Sequence, residues 1–385
     1  MDFSISEDQQ AVQQLAEQIL GREVTPEYLK EIEGQGNRFD LRLWQQLAES
    51  GLLGVAIDEA HGGMGFNFET LCLLIEAAGK TLPPVPLVPV LGAALALQQF
   101  GSVEQRDRWL PGIAAGSLLV TTALSEPGSD DPCRPTAGLQ AQGEGWRLSG
   151  CKHMVVAAEQ ADAMLLSAYS GDELVLLAVE TGARGVGLVA QEVTTGEPQF
   201  TVTFDNVEVK SGDIIARAAD ARCALHSLVQ HTLVANACMT LGVTETMLKL
   251  TAGYTSEREQ FGRPIATFQA VSHRAADAYI DVENLRLACQ QAASLLSRQA
   301  DASEAVMIAK IWASDVAHRV SQSSQHLHGG IGVDRDYPLF RYCLWAKQLE
   351  LTLGGGNAYL MQLGDAIAEH FKQGSAEPRL NSNAA

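Results

Sequence analysis

Residues 256–271 read SEREQFGRPIATFQAV and separate two long segments in which apolar residues recur at helical spacing. Gly262 and Pro264 are residues expected at a turn between two helices. A turn does not require Arg258 three residues before Phe261. A surface joint between helices with an incidental arginine is one interpretation of the stretch. The alternative is a ligand-binding segment, for which the rest of the chain provides further signs.

The period of the hydrophobic pattern changes twice along the chain. Residues 1–120 have a helical period, residues 121–218 alternate apolar and polar side chains as strands do, and residues 219–373 are helical again. The polar stretch 374–385 is predicted to be a disordered tail. Long helical segments in the third zone are predicted at 220–254, 265–299, 303–327 and 340–371. We therefore predict an α+β protein with a helical N-terminal domain, a compact central β domain and a C-terminal four-helix bundle.

The charge balance and the cysteine pattern exclude several classes of function. With 27 Lys and Arg against 46 Asp and Glu, the 385-residue chain has a formal charge of −19, which disfavours nucleic acid and anionic membranes as partners. Seven scattered cysteines without a CxxC pair predict neither a disulfide framework nor a zinc site. Residues 1–20 carry acids where a signal peptide has bases, and no apolar run reaches membrane-spanning length. A cytoplasmic protein is expected.

Four motifs, in order along the chain, resemble motifs of the acyl-CoA dehydrogenase family. The first is a glycine-rich turn, and the second is similar to the start of the family's β domain. The third includes the opening stretch, and the fourth is a C-terminal glycine motif. They read DEAHGGMGF at 58–66, TTALSEPGSDD at 121–131, EREQFGRPIATFQAV at 257–271 and HGGIGVDRDYPLFR at 328–341. The resemblance covers essentially the whole chain and implies the family's fold, with a β-barrel-like domain between two helical domains.

This resemblance implies that the chain binds FAD. A pyrophosphate is bound well by a guanidinium group, and an adenine packs against an apolar or aromatic wall. Arg258 would supply the first contact, and Phe261 and Gln269 the second. In the family this motif reaches FAD held mainly by a neighbouring subunit, so the resemblance implies at least a dimer.

The β-domain motif would hold the isoalloxazine end of the flavin. By similarity, Leu124 and Ser125 face the flavin edge and Ser129 meets the pyrophosphate, although the loop is shorter than the family's usual pattern. The stretch 150–162 resembles the strand behind the flavin, where the family commonly has a Trp and a hydroxyl residue. At this strand the chain has Met154, Val155 and Val156. Backbone contacts to a flavin are expected there without a side-chain hydrogen bond to N5; a buried strand without a ligand is the alternative.

The C-terminal glycine motif is expected at the adenine side of FAD. His326 stands where the family often has an amide three residues before the first glycine. Its ring is either a hydrogen-bond donor to the adenine side or a purely structural donor. Gly329 and Gly330 are expected to let the backbone approach the dinucleotide closely, because glycine has no side chain to obstruct it.

The catalytic base is the main departure from the family. Removing the proton alpha to a thioester needs a carboxylate whose pKa is raised by an apolar pocket. Many family members have a Glu just before a Gly-Thr pair, and that position is Leu353 here. The family's second location lies between residues 223 and 242, which include His226 and His231 but no Glu or Asp. Glu350 is a further candidate, although a helix would direct it to a different face from residue 353.

Three functions remain open from the sequence. The first is an FAD-dependent acyl-CoA dehydrogenase, acting alone as a homodimer or tetramer or as a heterotetramer with a base-bearing related chain, with electron-transfer flavoprotein as acceptor. The stretch LELTLGGG at 349–356 resembles a bacterial subgroup that acts on steroid side-chain and other bulky CoA thioesters. The second is a flavin monooxygenase of the same fold with a histidine such as His231 near the ring. The third is a non-catalytic subunit of a heteromeric acyl-CoA dehydrogenase.

Overall fold

The computed structural model describes residues 4–35, 38–129 and 131–372. The predicted tail at 374–385 lies outside these ranges. Two helical regions flank a domain made of one sheet, which confirms the predicted α+β class. Within the described ranges, no helix is long and apolar enough to cross a membrane.

The N-terminal region consists of helices whose starts are set by capping side chains. Ser6 begins the first helix in a capping box, in which its hydroxyl accepts the backbone N–H of Gln9 at 3.2 Å. Asn67 caps the fourth helix by accepting the N–H of Thr70. The helices are α1 (Glu7–Glu23), α2 (Pro26–Gly34), α3 (Leu41–Glu49), α4 (Phe68–Thr81), α5 (Leu87–Phe100) and α6 (Val103–Ala114).

The central domain is a mixed sheet with its own apolar core. The strands are β1 (Val120–Ala123), β2 (Gly138–Gln142), β3 (Gly145–Val156), β4 (Ala163–Ser170), β5 (Glu173–Glu180), β6 (Val186–Gln191), β7 (Gln199–Val209) and β8 (Ile214–Arg217). Their order is β6-β7-β3-β2-β4-β5-β8, and β1 pairs with β4 in parallel. Alternation along β7 buries Phe200, Val202 and Phe204 in this core, as the two-residue period predicts.

The C-terminal region differs from the predicted four-helix bundle in its last segment. Its helices are α7 (Ala218–Glu257), α8 (Gln269–Ser297), α9 (Ser303–His328), α10 (Leu339–Leu351) and α11 (Gly356–Lys372). The predicted fourth segment is thus two helices. Leu353 and Gly354, between them, have φ angles of 56° and 99°, which a continuing right-handed helix does not allow. The two-residue strands β9 (Glu259–Gln260) and β10 (Arg263–Pro264) form a hairpin between α7 and α8.

Helix α7 joins the N-terminal region to the C-terminal one through a close backbone contact with α4. A Cβ atom added to Gly79 would lie 2.2 Å from the backbone oxygen of Met239, and one added to Gly242 would lie 2.1 Å from that of Glu76. Only glycine fits at this crossing, since such distances are far below van der Waals contact. The crossing fixes α4 against the middle of α7, beside the main apolar cavity.

Candidate functional site

A cavity of about 540 Å³ lies where the three parts of the chain meet. This volume falls within the roughly 300–1,000 Å³ that is typical of small-molecule sites. The N-terminal helices contribute apolar side chains, while the β domain and the C-terminal helices each contribute apolar and polar ones. Lining residues include Ile75, Ala78, Val85, Leu87 and Val88 from the first region, Leu124, Ser125, Met154 and Val156 from the second, and Thr232, Asn236, Met239, Trp345, Gln348 and Leu353 from the third.

The β-domain wall of this cavity is held in place by a buried ion pair. Leu124 and Ser125 line the cavity, and the backbone oxygen of Ser125 accepts the N–H of His153 at 3.0 Å. Directly after them along the chain, Glu126 accepts a hydrogen bond from the ammonium group of Lys152 at 2.6 Å, with both side chains buried. Burial lowers the pKa of Lys152 from its usual value, and the charge of Glu126 opposes that shift. The pair joins the loop of Ser125 to β3.

Strand alternation places the side chains of Val155 and Val156 on opposite faces of β3. Met154 and Val156 line the cavity. Val155 is 1% exposed and its side chain packs in the apolar core of the β domain, so only its backbone is available for the predicted cofactor contact. The physical reason is that successive side chains of a strand point to opposite faces. The cavity side of this strand therefore has a thioether and an isopropyl group, with no hydroxyl at either position.

Leu353 lies on the cavity wall, in the turn between α10 and α11. Its side chain is 8% exposed, and its backbone oxygen accepts the phenolic hydroxyl of Tyr359 at 2.7 Å. On the α7 side, the wall is formed by Thr232, Asn236 and Met239. The Thr232 hydroxyl donates to the backbone oxygen of Leu228 at 2.8 Å, as hydroxyls within helices commonly do. Neither Leu353 nor these α7 residues has a side chain able to act as a general base near neutral pH.

The other proposed bases do not lie on the main cavity. Glu350 forms an ion pair with Lys347, and His226 is exposed on α7. His231 lines a separate small chamber and stands edge-on to Phe68, with ring centroids 4.6 Å apart. Its Nδ1 lies 2.7 Å from the backbone oxygen of Ser227, and burial lowers the pKa of the ring, which favours the neutral imidazole. In the described part of the chain, the acids on the main cavity are Glu192 and Glu197, which sequence reasoning missed.

The residues predicted to meet the pyrophosphate and adenine lie apart from the cavity, at one end of the helical region. Arg258 ends α7, and its backbone oxygen accepts the N–H of Ile265 at 2.8 Å, which closes the hairpin. Phe261 is 93% exposed at the hairpin tip, with a φ of 55°. Its ring stands edge-on to that of Phe268, at 6.2 Å between centroids. Gln269 begins α8 beside them and is exposed.

The C-terminal glycine motif lies at the same end as this hairpin. The rings of Tyr254 and His328 stack with centroids 4.5 Å apart, which brings the last turn of α7 against the end of α9. Exposed Gly329 and Gly330 follow directly. Exposed His326 has its Nδ1 2.6 Å from the guanidinium of Arg274, so Nδ1 accepts from Arg274 and the N–H of the ring is at Nε2.

Ser129, like Val155, is a predicted contact that lies in neither group of residues. Its hydroxyl donates to the backbone oxygen of Asp131 and accepts the N–H of the same residue, each at 3.3 Å. These bonds form a local turn in the loop after Ser125. The sequence therefore predicted two sets of positions that the fold keeps apart: cavity residues at 124, 125, 156 and 353, and exposed residues around 258 and 326.

Family models match most of the chain. The acyl-CoA dehydrogenase N-terminal domain matches residues 6–117, and the acyl-CoA dehydrogenase C-terminal domain matches residues 217–368. The chain is 37% identical over 378 residues to acyl-CoA dehydrogenase FadE27 of Mycobacterium tuberculosis, covering 96% of this chain and 99% of that protein. It is 33% identical over 365 residues to acyl-CoA dehydrogenase FadE28 of the same organism, covering 94% and 98%.

Solved structures agree with these matches. A variant of the Tcur3481-Tcur3483 steroid ACAD superposes with a TM-score of 0.89 at 41% identity, covering 95% of this chain and 99% of that one. The ChsE4-ChsE5 complex of Mycobacterium tuberculosis superposes with a TM-score of 0.90 at 34% identity, covering 96% and 99%. Both structures carry the names of two chains, and the first is a steroid ACAD.

Proposed function

Because the chain belongs to the acyl-CoA dehydrogenase family, we propose that it is one subunit of an FAD-dependent acyl-CoA dehydrogenase whose catalytic base is on a related chain. The reaction would introduce a double bond between the alpha and beta carbons of an acyl-CoA thioester. The observation that carries the proposal is the cavity wall at Leu353, where the expected carboxylate is replaced by an apolar side chain.

The residues present fit a flavin in two separate parts. The mainly apolar slot between Ser125, Met154 and Val156 is suited to a flat aromatic ring system. The exposed cluster around Arg258 and Phe261 is suited to a pyrophosphate and an adenine. When bound, FAD supplies the hydride acceptor for the reaction. Since the two groups of residues do not line one cavity, we infer that Arg258 and its neighbours contact a flavin held mainly by another subunit.

Exposed apolar side chains on the helical region support a partner chain. Such side chains in a row on one element are typical of a protein interface. Helix α11 buries only Tyr359 among its described residues. The exposed side chains on α8 and α11 are Tyr279, Ile280, Leu287, Leu360, Met361, Ile367 and Phe371. We infer that these two helices form part of the subunit contact.

The neighbours favour a related chain as that partner. The ChsE4-ChsE5 and Tcur3481-Tcur3483 structures are each named for two chains, and this protein resembles chains from both structures over nearly its whole length. A division of labour, in which one chain has the base and the other lacks it, accounts for the apolar wall at Leu353. We infer a bulky acyl-CoA, of the steroid side-chain type, as substrate and electron-transfer flavoprotein as acceptor. The described free thiols agree with a reducing cytoplasm.

The test is to purify the chain alone and together with a co-expressed related chain that has a glutamate at the position of Leu353. We expect the complex to lose the visible absorption of its flavin when a steroid side-chain acyl-CoA is added, and the single chain to do so slowly or not at all. Efficient bleaching by the single chain would overturn the proposal. Equally, a flavin-bearing complex that binds the acyl-CoA without bleaching would contradict it.

The same flavin-bleaching experiment distinguishes a dehydrogenase from a flavin monooxygenase. That reaction needs reduced flavin and oxygen, whereas a dehydrogenase reduces its flavin with the acyl-CoA itself. Reduction of the complex by acyl-CoA in the absence of any other reductant would therefore favour the dehydrogenase. The position of His231 in a separate chamber gives no support to a role beside a flavin in the main cavity.

A further inference from the structure

Glu197 lies in the loop between β6 and β7, on the wall shared by the main cavity and a smaller inner chamber. The inner chamber measures about 30 Å³ and is bounded by the Pro83–Pro86 segment, Val156 and Trp345. Most of the neighbouring wall is apolar, so a carboxyl group there is unusual. A ligand that fills the main cavity and extends toward the inner chamber would meet this carboxyl group.

One of the two oxygens of the Glu197 carboxyl group accepts hydrogen bonds within the protein. Oε2 accepts a hydrogen bond from the side-chain amide of Gln199 at 2.7 Å and another from that of Gln348 at 2.6 Å. The Gln348 amide is itself fixed, because its oxygen accepts the hydroxyl of Thr195 at 2.6 Å. Within the described residues, Oε1 has no hydrogen-bond partner. The network thus fixes the orientation of the carboxyl group and leaves one oxygen available to a ligand.

Among the residues that the structure describes, none forms an ion pair with Glu197. Arg38 lies on the inner chamber, but its guanidinium is paired with Glu33 at 2.5 Å. Burial raises the pKa of Glu197, while the amides of Gln199 and Gln348 and the charge of Arg38 act in the opposite direction. A carboxyl group whose pKa is raised is protonated over a wider pH range, so Oε1 can donate as well as accept.

We propose that Glu197 binds an oxygen substituent on the acyl group, through a hydrogen bond from or to its free Oε1. The proposal rests on the proposed function, since it takes the ligand to be an acyl-CoA. Glu197 is a specificity residue in this proposal and takes no part in proton abstraction. A hydroxyl group is the best complement, because it pairs with either protonation state of the carboxyl group. The apolar remainder of the cavity packs against the hydrocarbon rings.

Two matched ligands and four forms of the protein test this assignment. The ligands are lithocholoyl-CoA, which has a ring hydroxyl far from the thioester, and cholanoyl-CoA, which is the same compound without it. The proteins are the full-length wild type, Glu197→Ala, Glu197→Gln and Glu192→Ala. Glu192 is the matched control, since it is also an acid on the main cavity but is exposed at its edge. The measured quantity is the ratio of the two dissociation constants within each protein, by calorimetric titration.

We expect the wild type to bind the hydroxylated ligand about five- to tenfold more tightly, which is the value of one net hydrogen bond. Glu197→Ala should abolish that ratio, whereas Glu197→Gln, whose amide can both donate and accept, should retain it, as should Glu192→Ala. Because each ratio is internal to one protein, general effects of a substitution on folding cancel. An unchanged ratio in Glu197→Ala, or no preference in the wild type, would overturn the assignment. If the wild type bound neither ligand, the cavity of this chain would not be an acyl-CoA site and the assignment would fall, whereas the flavin-bleaching test on the assembled complex decides the proposed function separately.

Discussion

Replacing Leu353 with glutamate tests whether the cavity is arranged for proton abstraction. The side chain at this position lines the cavity and is 8% exposed. A carboxylate there would be largely desolvated, which raises its pKa and makes it a stronger base. General-base catalysis is typically worth about a hundredfold to ten-thousandfold in rate. We therefore expect flavin reduction by a bulky acyl-CoA to gain at least about tenfold over the wild-type chain when the same flavin is bound.

The substitution should leave the backbone unchanged. Residue 353 already has a φ of 56° with a Cβ atom, so glutamate adds no backbone strain beyond that of leucine. The hydrogen bond from the Tyr359 hydroxyl goes to the backbone oxygen and does not depend on the side chain. The cost is the lost burial of leucine, about 1.5–3 kcal/mol, together with desolvation of the carboxyl group. The variant should therefore fold but unfold at a lower denaturant concentration.

The assay is stopped-flow loss of the flavin's visible absorption after mixing with acyl-CoA, over a range of pH. The rate in Leu353→Glu should rise with pH through the raised pKa, since only the ionised carboxylate accepts the proton. Its stability should fall over the same range, because the unfolded carboxyl group ionises at a lower pH than the folded one. Leu351→Glu is the matched control, as Leu351 also lines the cavity but is 58% exposed. A folded, flavin-bearing Leu353→Glu variant that reduces no faster than this control would refute the assigned geometry.

Further predictions concern three charged groups. Arg258→Ala should lower the flavin content of the assembled complex, measured after gel filtration, while the lone chain stays folded; unchanged flavin content and assembly would show that the hairpin binds no dinucleotide. Burial lowers the pKa of Lys310 from 10.5 to about 8. Between these two pH values the unfolded state binds one proton more than the folded state, so the free energy of unfolding should rise with pH. Lys310→Met should remove that rise, as measured by urea-unfolding midpoints at each pH. Midpoints that rise equally with pH in the variant and the wild type would contradict the prediction. Lys152→Met should destabilise more than Lys152→Met combined with Glu126→Gln, because the single change leaves a buried carboxylate without its cation; equal midpoints would refute this.

The sequence was informative where a local pattern determines the structure. The change of period near residues 120 and 218 predicted the order of helical and sheet regions, because burial on one face imposes a period of 3.6 or 2. The glycine motif at 354–356 contained the sign of the break between α10 and α11, but the apolar periodicity on both sides concealed it. Motif similarity gives positions along a strand and not the direction of each side chain, so it did not show that the Val155 side chain points into the β-domain core.

Long-range geometry accounts for what sequence reasoning missed. Glu197 lies in an irregular loop, and its place on the cavity depends on the Gln348 amide, 151 positions away in the chain. Thr232 and Asn236 are indistinguishable in sequence from other residues of a buried helix, yet they face the cavity. The separation of Arg258 from the cavity likewise follows from how α7 extends beyond its crossing with α4. None of these contacts between distant parts of the chain produces a periodic pattern in the sequence.

The cavity residues and the exposed residues around Arg258 are separate in the structure, so a change in one group need not affect the other. Under the proposed function, the exposed hairpin with Arg258 and Phe261 would contribute to a flavin on the partner, whatever this chain's own cavity does. The cavity at Leu353 would then need no base of its own, and an apolar side chain there avoids the cost of burying a carboxylate. Glu197, in contrast, has a carboxyl group on the same cavity despite the cost of partial burial. Under the proposed function that acid would recognise the ligand, while the catalytic base is on the related chain.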